Sequence, residues 1–170
     1  MTEHPTFEEM FAACKSTAVH LELRDMYTPD DPSFLSWKAG KPVDILTDWG
    51  EWYNLMVTTI GRGVEVRRAR VVSEPITDFI RHEYETTGML NIPAGEKVRW
   101  LPRREAKGLL LPANDIWIFD NRTVRFSYFA GDGAYLGQEW ITDSVLAAKC
   151  SESFESVWEL AIDHENYKPT

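Results

Sequence analysis

The sequence predicts a single α/β domain over residues 1–170. In it, parallel strand–helix–strand units lead into an antiparallel meander, and helices cover both faces of one mixed sheet. Three observations carry this. Strand patterns near residues 18–23, 64–72 and 98–101 are separated by helical patterns, and such crossovers join parallel strands. Three further strand patterns follow each other at turn spacing after residue 114. A chain of 170 residues is long enough for one full core.

The first element is a helix over residues 6–14. Thr6 suits its N-cap, Glu8 and Glu9 suit its positive end, and Phe7, Met10 and Phe11 share a face. Residues 18–23 then alternate: Val19, Leu21 and Leu23 point one way, His20, Glu22 and Arg24 the other. Pro29 and Pro32 mark a loop, and a short helix over 33–39 ends at Gly40. Asp48 fits the N-cap of the next helix, in which Trp49, Trp52, Tyr53, Met56, Val57 and Ile60 recur at helical spacing. That stripe reads either as a face packed on the sheet or as an aromatic box for a ligand. Gly61 or Gly63 stops it. The strand over 64–72 sets Val64, Val66, Val71 and Val72 around Arg67, Arg68 and Arg70. Pro75 is expected at the first position of a helix reaching Thr87, with Ile76, Phe79, Ile80, Glu83 and Tyr84 on one face. A Gly- and Pro-bearing loop over 88–95 precedes a strand over 98–101. Asp115–Phe119, Thr123–Phe129 and residues 134–141 form the meander, with turns at Asn121-Arg122 and Gly131-Asp132-Gly133. A last helix over 143–164 buries Val145, Leu146, Cys150, Phe154, Val157, Trp158 and Ala161.

Charge narrows the function classes. The net charge is −9, which argues against bulk nucleic acid or an anionic membrane as a partner. No apolar run approaches a membrane span. Cys14 and Cys150 match neither a zinc nor a redox spacing, and the N-terminus has no signal-peptide pattern, so a reducing, cytoplasmic setting is expected. No phosphate loop, GxSxG or HExxH string occurs, and no metal or cofactor is expected.

The charge is also unevenly spread. Residues 62–107 hold ten Lys and Arg against seven acids, a local +3, while the rest carries −12. In a parallel layout Arg70, Glu74, Arg99 and Arg103 fall toward the carboxyl ends of adjacent strands, where ligands gather. The arginines either clamp an anion or pair internally with Glu65, Glu74, Glu83 and Glu96. A second polar group, His20, Glu22 and Arg24, lines one face of the first strand, as a site or as a solvated face.

Several strings resemble an uncharacterised actinobacterial family built on a domain of unknown function. They are HLELRDMY (20–27), GRGVEVRRARVVSEPITDFIRHEY (61–84), NIPAGEKVRWLPR (91–103), NDIWIFD (114–120) and VWELAIDHENY (157–167). The resemblance implies a setting beside helix-turn-helix regulators in bacteria that make secondary metabolites. At fold level, the helix feeding RGVEVR and the later strand carrying IFDNRTV resemble one half of a phospholipase D-like domain. Asp120 falls where that superfamily has a strand-end acid, but residues 111–120 lack its His-x-Lys string, so the resemblance implies no phosphodiester chemistry by that route.

Two functions are expected from these readings. One is a cytoplasmic accessory or regulatory binding protein, with Arg24, Arg70, Arg99 and Arg103 holding a small anionic molecule or a partner's acidic patch. Its partner would be a helix-turn-helix regulator. The alternative is a biosynthetic enzyme of secondary metabolism using the same cleft, with Glu22, Glu74 or Asp115 as general base and the arginines as clamps.

Overall fold

Among the described residues, side chains that satisfy otherwise unpaired amides open each of the α-helices. The computed structural model describes residues 5–170. Thr6 accepts from the Glu9 N–H while the Glu9 carboxylate accepts from the Thr6 N–H, a reciprocal box that starts α1 (Phe7–Ala13). Asp31 caps α2 (Pro32–Lys38), with Pro32 placed where a missing N–H costs nothing. α3 (Ile45–Gly61) is capped by Asp44, not by Asp48 as the sequence predicts. Its backbone leaves helical dihedrals at Trp49 (φ −128°, ψ 17°), so Asp48 precedes a kink inside the helix. α4 (Asp78–Met89) is capped by Thr77 rather than opened by Pro75, which follows a cis peptide bond. α5 (Ser144–Leu160) starts at Asp143, whose carboxylate accepts from the Val145 and Leu146 N–H groups.

The strands are β1 (Thr17–Glu22), β2 (Glu65–Val72), β3 (Lys97–Pro102), β4 (Asp115–Phe119), β5 (Thr123–Phe129), β6 (Tyr135–Thr142) and β7 (Ile162–Asp163). They form one sheet in the order β6-β5-β4-β1-β2-β3-β7. β1, β2 and β3 are parallel, and every other pair is antiparallel. The mixed α/β sheet is therefore as the sequence predicts. β7 is not. The predicted final helix stops at Leu160, and the next residues pair with β3 instead. This lets Tyr167 stack flat on Trp100, with ring centroids 5.5 Å apart.

The two faces of the sheet differ. On one, Val19, Leu21, Ala69, Val71, Ile116 and Ile118 pack against Cys150, Phe154 and Val157 of α5. On the other, two apolar clusters stand apart. Phe11 of α1 and Met56 of α3 cover Ala18, Val66, Trp117 and Phe119. Phe34 of α2 and Phe79 and Ile80 of α4 cover Val72, Val98 and Trp100. The strip of sheet between these clusters is polar. Among the described residues, no helix is long and apolar enough to cross a membrane.

Asp120 fastens the β4–β5 turn to the start of β1. Asp120 and Asn121 both have positive φ (50° and 51°), the backbone a tight hairpin needs. The Asp120 carboxylate accepts from the N–H groups of Lys15 (2.9 Å), Ser16 (2.8 Å) and Thr17 (3.1 Å). Burial pushes its pKa up, but these bonds and the Ser16 hydroxyl outweigh it and hold the acid at about 2. Cys14 and Cys150 are both free and buried. Burial and then the Asp120 charge push the Cys14 thiol up to about 11, which leaves it unreactive at neutral pH. Asp120→Asn keeps the turn geometry and weakens the tie, so it is expected to cost about 1–2 kcal/mol at neutral pH in urea unfolding. Because the folded pKa is depressed from 3.8 to about 2, the gap from wild type is full above pH 4 and closes as pH falls toward 2.

Candidate functional site

Strand register builds the site. Trp140, Arg125, Trp117, His20 and Arg68 are successive cross-strand partners from β6 to β2 and form one row across the sheet. Beside it runs a second row. Gln138, Ser127 and Asp115 lead toward Glu22, which pairs with Arg70 and then Trp100. Alternation along each strand puts all these side chains on the face that α5 does not cover. His20, Glu22, Arg68, Arg70, Asp115, Trp117, Arg125 and Ser127 of these rows form the floor of a cavity of about 420 Å³. Its walls are aromatic. α1 and α3 supply Phe7, Trp49 and Trp52, α4 supplies Phe79, and Tyr27, Phe129 and Tyr135 complete the rim. The Thr28 N–H donates to the Gly133 carbonyl at 2.9 Å, which holds the β1–α2 loop against the β5–β6 turn. Gly133 has φ +94°, and a Cβ there would lie 2.9 Å from the Met26 carbonyl oxygen, so only glycine fits.

Glu22 is the centre of the floor. Its carboxylate accepts from Arg68 Nη1 and from Arg70 Nε, and His20 Nδ1 lies 3.2 Å from Oε1. Arg68 Nε also donates to Glu96 at 2.7 Å, and the Asn91 amide donates to the second Glu96 oxygen. Arg70 donates to the Thr87 hydroxyl and approaches Glu83 at 3.5 Å. Burial raises the Glu22 pKa, but Arg70, Arg68 and His20 outweigh it, and the acid is held well below the usual carboxylate range. His20 stacks on Trp117 at 4.3 Å. Burial keeps its ring neutral, against the pull of Glu22 and with help from Arg68, Arg125 and Arg70.

Two other acids behave in the opposite way. Burial pushes Asp115 up to about 7, although Tyr27 hydrogen-bonds its carboxylate and the Leu23 N–H donates to it at 3.0 Å. Burial also pushes Glu83 up to about 7; Arg70 pulls down and Glu22 pushes up. Glu83 Oε2 and Thr86 Oγ1, on one face of α4 at the cavity wall, have no hydrogen-bond partner. Among the described residues, no group of three or more His, Cys, Asp and Glu side chains could hold a metal ion.

Of the candidate bases and arginine clamps named in the sequence, Glu22, Arg70 and Asp115 meet in the cavity, joined by His20, Arg68 and Glu83 and by Trp49 and Trp52 of the aromatic stripe. Arg24, Arg99, Arg103 and Glu74 do not join them. Arg99 is one residue out of phase with Trp100, so it faces the α5 side, where it bonds Asp163 at 2.7 Å and lies 4.5 Å over Trp158. Arg103 closes the carboxyl ends of the parallel strands, donating to Leu23 O (2.7 Å), Val71 O (2.9 Å) and Ser73 Oγ (3.0 Å). The space beyond those ends, expected to receive a ligand, is filled by this side chain. Glu74 accepts from the Tyr167 hydroxyl at 2.8 Å, outside the cavity. Arg24 lines a small adjoining recess and donates to Ala130 O at 2.6 Å. Internal pairing thus holds for Arg67 with Glu65, Arg68 with Glu96 and Arg70 with Glu83, whereas Arg99 takes Asp163 and Glu74 takes a tyrosine. Arg125, the Phe7 and Trp117 rings and the Thr86 hydroxyl are site residues that the sequence reading did not place. For Arg125 the available signal was its phase in β5, shared with Thr123 and Ser127.

Removing the central acid should be severe. Glu22→Gln leaves two buried guanidinium groups short of charge and is expected to cost about 3–5 kcal/mol, read from the guanidinium chloride midpoint. Asp115 provides a pH test. Its folded pKa lies above the ordinary 3.8, so the native state binds the extra proton between about pH 4 and 7 and loses stability as pH rises through that window. Asp115→Asn removes this slope. Relative to wild type, the variant should gain stability from pH 4 to pH 7 and hold a constant difference above it, in unfolding curves at stepped pH.

Comparison with known proteins agrees with this fold. No curated protein sequence matches the chain. Solved structures that share its fold include an archaeal chromatin protein and a phospholipase D family member. TrmBL2, an archaeal chromatin protein with a novel mode of DNA binding, aligns with a TM-score of 0.51 and 16% identity, over 91% of this chain and 48% of that one. This chain thus spans about half the length of the chromatin protein. Nuc, a phospholipase D family member from Salmonella typhimurium, aligns with a TM-score of 0.51 and 14% identity, over 92% of this chain and 86% of that one. The phospholipase D-like architecture is therefore present in a chain without a His-x-Lys string at residues 111–120. Residues 5–169 match the model of the family described as domain of unknown function DUF6879, and the chain belongs to that family.

Proposed function

We propose that this chain is an accessory or regulatory binding protein whose aromatic-walled cavity receives a small anionic organic molecule. One observation carries the reading: a cavity of about 420 Å³ over a floor whose central charges, Glu22 with Arg68 and Arg70, are already paired. Glu22, Arg68, Arg70 and Glu96 hold one another in fixed geometry. Such a floor is preorganised, and its arginines have no need to move when a ligand enters. The cavity has the size and the apolar walls of a small-molecule site.

The regulatory part rests on the family resemblance, which implies a setting beside helix-turn-helix regulators, and is supported by the use of this fold in an archaeal chromatin protein. In this reading a regulator of that class recognises the loaded cavity in a secondary-metabolite setting. Two free, buried thiols support a reducing, cytoplasmic location. The rival reading is a biosynthetic enzyme, and the observation that favours it is the pair of carboxyls, Glu83 and Asp115, raised to about 7 within the cavity.

The neutral dye N-phenyl-1-naphthylamine tests the cavity. Its fluorescence should report one saturable site with a micromolar dissociation constant. Thr86→Trp, which fills the space from α4, should weaken binding about tenfold while the variant unfolds at a similar temperature. Absence of saturable binding to the wild type, both of this dye and of its anionic analogue 1-anilinonaphthalene-8-sulfonate, overturns the reading. Incubation with a host metabolite extract separates the two functions: a compound retained unchanged supports binding, and a compound consumed with a protein-dependent product supports the enzyme.

A further inference from the structure

Arg125 differs from every other cation of the cavity floor. It is only 7% exposed. Arg68 and Arg70 each meet carboxylates, but Arg125 donates only to neutral acceptors: Gln138 Oε1, Ser127 Oγ at 2.8 Å and the Tyr135 hydroxyl at 3.1 Å. Among the described residues, no carboxylate lies within salt-bridge distance of it. A buried guanidinium with no counter-charge is costly. Its one bond from Nη1 also leaves a hydrogen on that nitrogen. Position adds to this. The guanidinium lies 4.3 Å over the Phe7 ring, at the end of the floor where aromatic side chains converge.

The surroundings limit what can neutralise it. Phe7 and Trp52, from α1 and α3, line the cavity as one contacting pair, and Phe129 and Tyr135, from β5 and β6, as another, so the space favours a body with flat apolar faces. A multiply charged group is disfavoured. Arg68 and Arg70 are occupied, and Glu22 and Asp31 also border the space. At the far wall, Glu83 Oε2 and Thr86 Oγ1 remain without partners and suit a second, neutral polar group.

We propose that the cavity takes a flat aromatic monoanion of the carboxylate class, with its acid group on Arg125 and its ring between the aromatic walls. This rests on the cavity being a small-molecule site. The anchor is a residue outside the arginine set that the sequence pointed to.

Two dyes with one ring system test it. 1-Anilinonaphthalene-8-sulfonate carries a single anionic group that stands in for the carboxylate; N-phenyl-1-naphthylamine lacks it. The wild type should bind the sulfonate at least about tenfold more tightly, the usual range for a charge-assisted hydrogen bond. Arg125→Met should bring the two affinities together. Displacement of the sulfonate dye from wild-type protein by 2-naphthoate against 2-naphthylmethanol gives the same comparison without a variant. The naphthoate should compete at least tenfold better. Equal affinities of the two dyes, equal competition, or a preference that survives in folded Arg125→Met overturns the aromatic-acid inference while leaving the cavity reading in place. Failure of both dyes to bind the wild type overturns the cavity reading itself.

Discussion

The architecture of this protein depends on one buried carboxylate, Glu22, set between two arginines on the neighbouring strand. β1 and β2 are parallel, and their register places Glu22 opposite Arg70 and His20 opposite Arg68. Arg68 and Arg70 are two residues apart, so both point to the same face and reach the same acid. A slip of one residue would turn Glu22 into the apolar layer under α5 and strand both guanidinium groups. The ionic group is weak evidence for net stability, since hydrophobic replacements can do as well. Its effect is on placement: it fixes how the sheet is registered and which strip of it stays polar.

That strip explains the rest of the helical layer. A fully apolar face would bring α1, α3, α2 and α4 down onto the sheet as one layer. Here the helices settle in two groups, one over Trp117 and Phe119 and one over Val98 and Trp100. The gap between the groups is the cavity. The charge arithmetic gains meaning from this. The arginines of β2 and β3 do not form an outward-facing patch, because Arg67, Arg68, Arg70 and Arg99 pair with Glu155, Glu96, Glu22 and Asp163. The counter-charge deficit lies instead on β5, at Arg125.

Elements whose ends carry local chemistry were legible in the sequence. The Thr6 cap, the alternation of β1 and the meander after residue 114 all follow from neighbouring residues. Signals decided by tertiary contact were not. Asp48 and Asp44 are both acceptable caps, and the choice between them depends on how α3 bends at Trp49. The tail after Leu160 reads as helix until the Arg99–Asp163 and Tyr167–Trp100 contacts are known. The site was half legible. Glu22, Arg70 and Asp115 sit where strand phase puts them, but Arg99 is out of phase by one residue, and Arg103 serves three backbone and hydroxyl acceptors that no pattern foretells. Arg125 was hidden because its neighbours come from strands whose register is set by turns.

The two polar rows also have a kinetic consequence. They draw on β1 and β2 from the first half of the chain and on β4, β5 and β6 from the second. Neither row exists until β4 has docked against β1, a pairing that closes a loop of nearly a hundred residues, and such long-range closure is a late and slow step in folding. A molecule seated on the rows would therefore recognise only the completed sheet. Its binding free energy would add to the stability of the whole domain rather than to one element, and its presence would slow global unfolding rather than quiet a local loop.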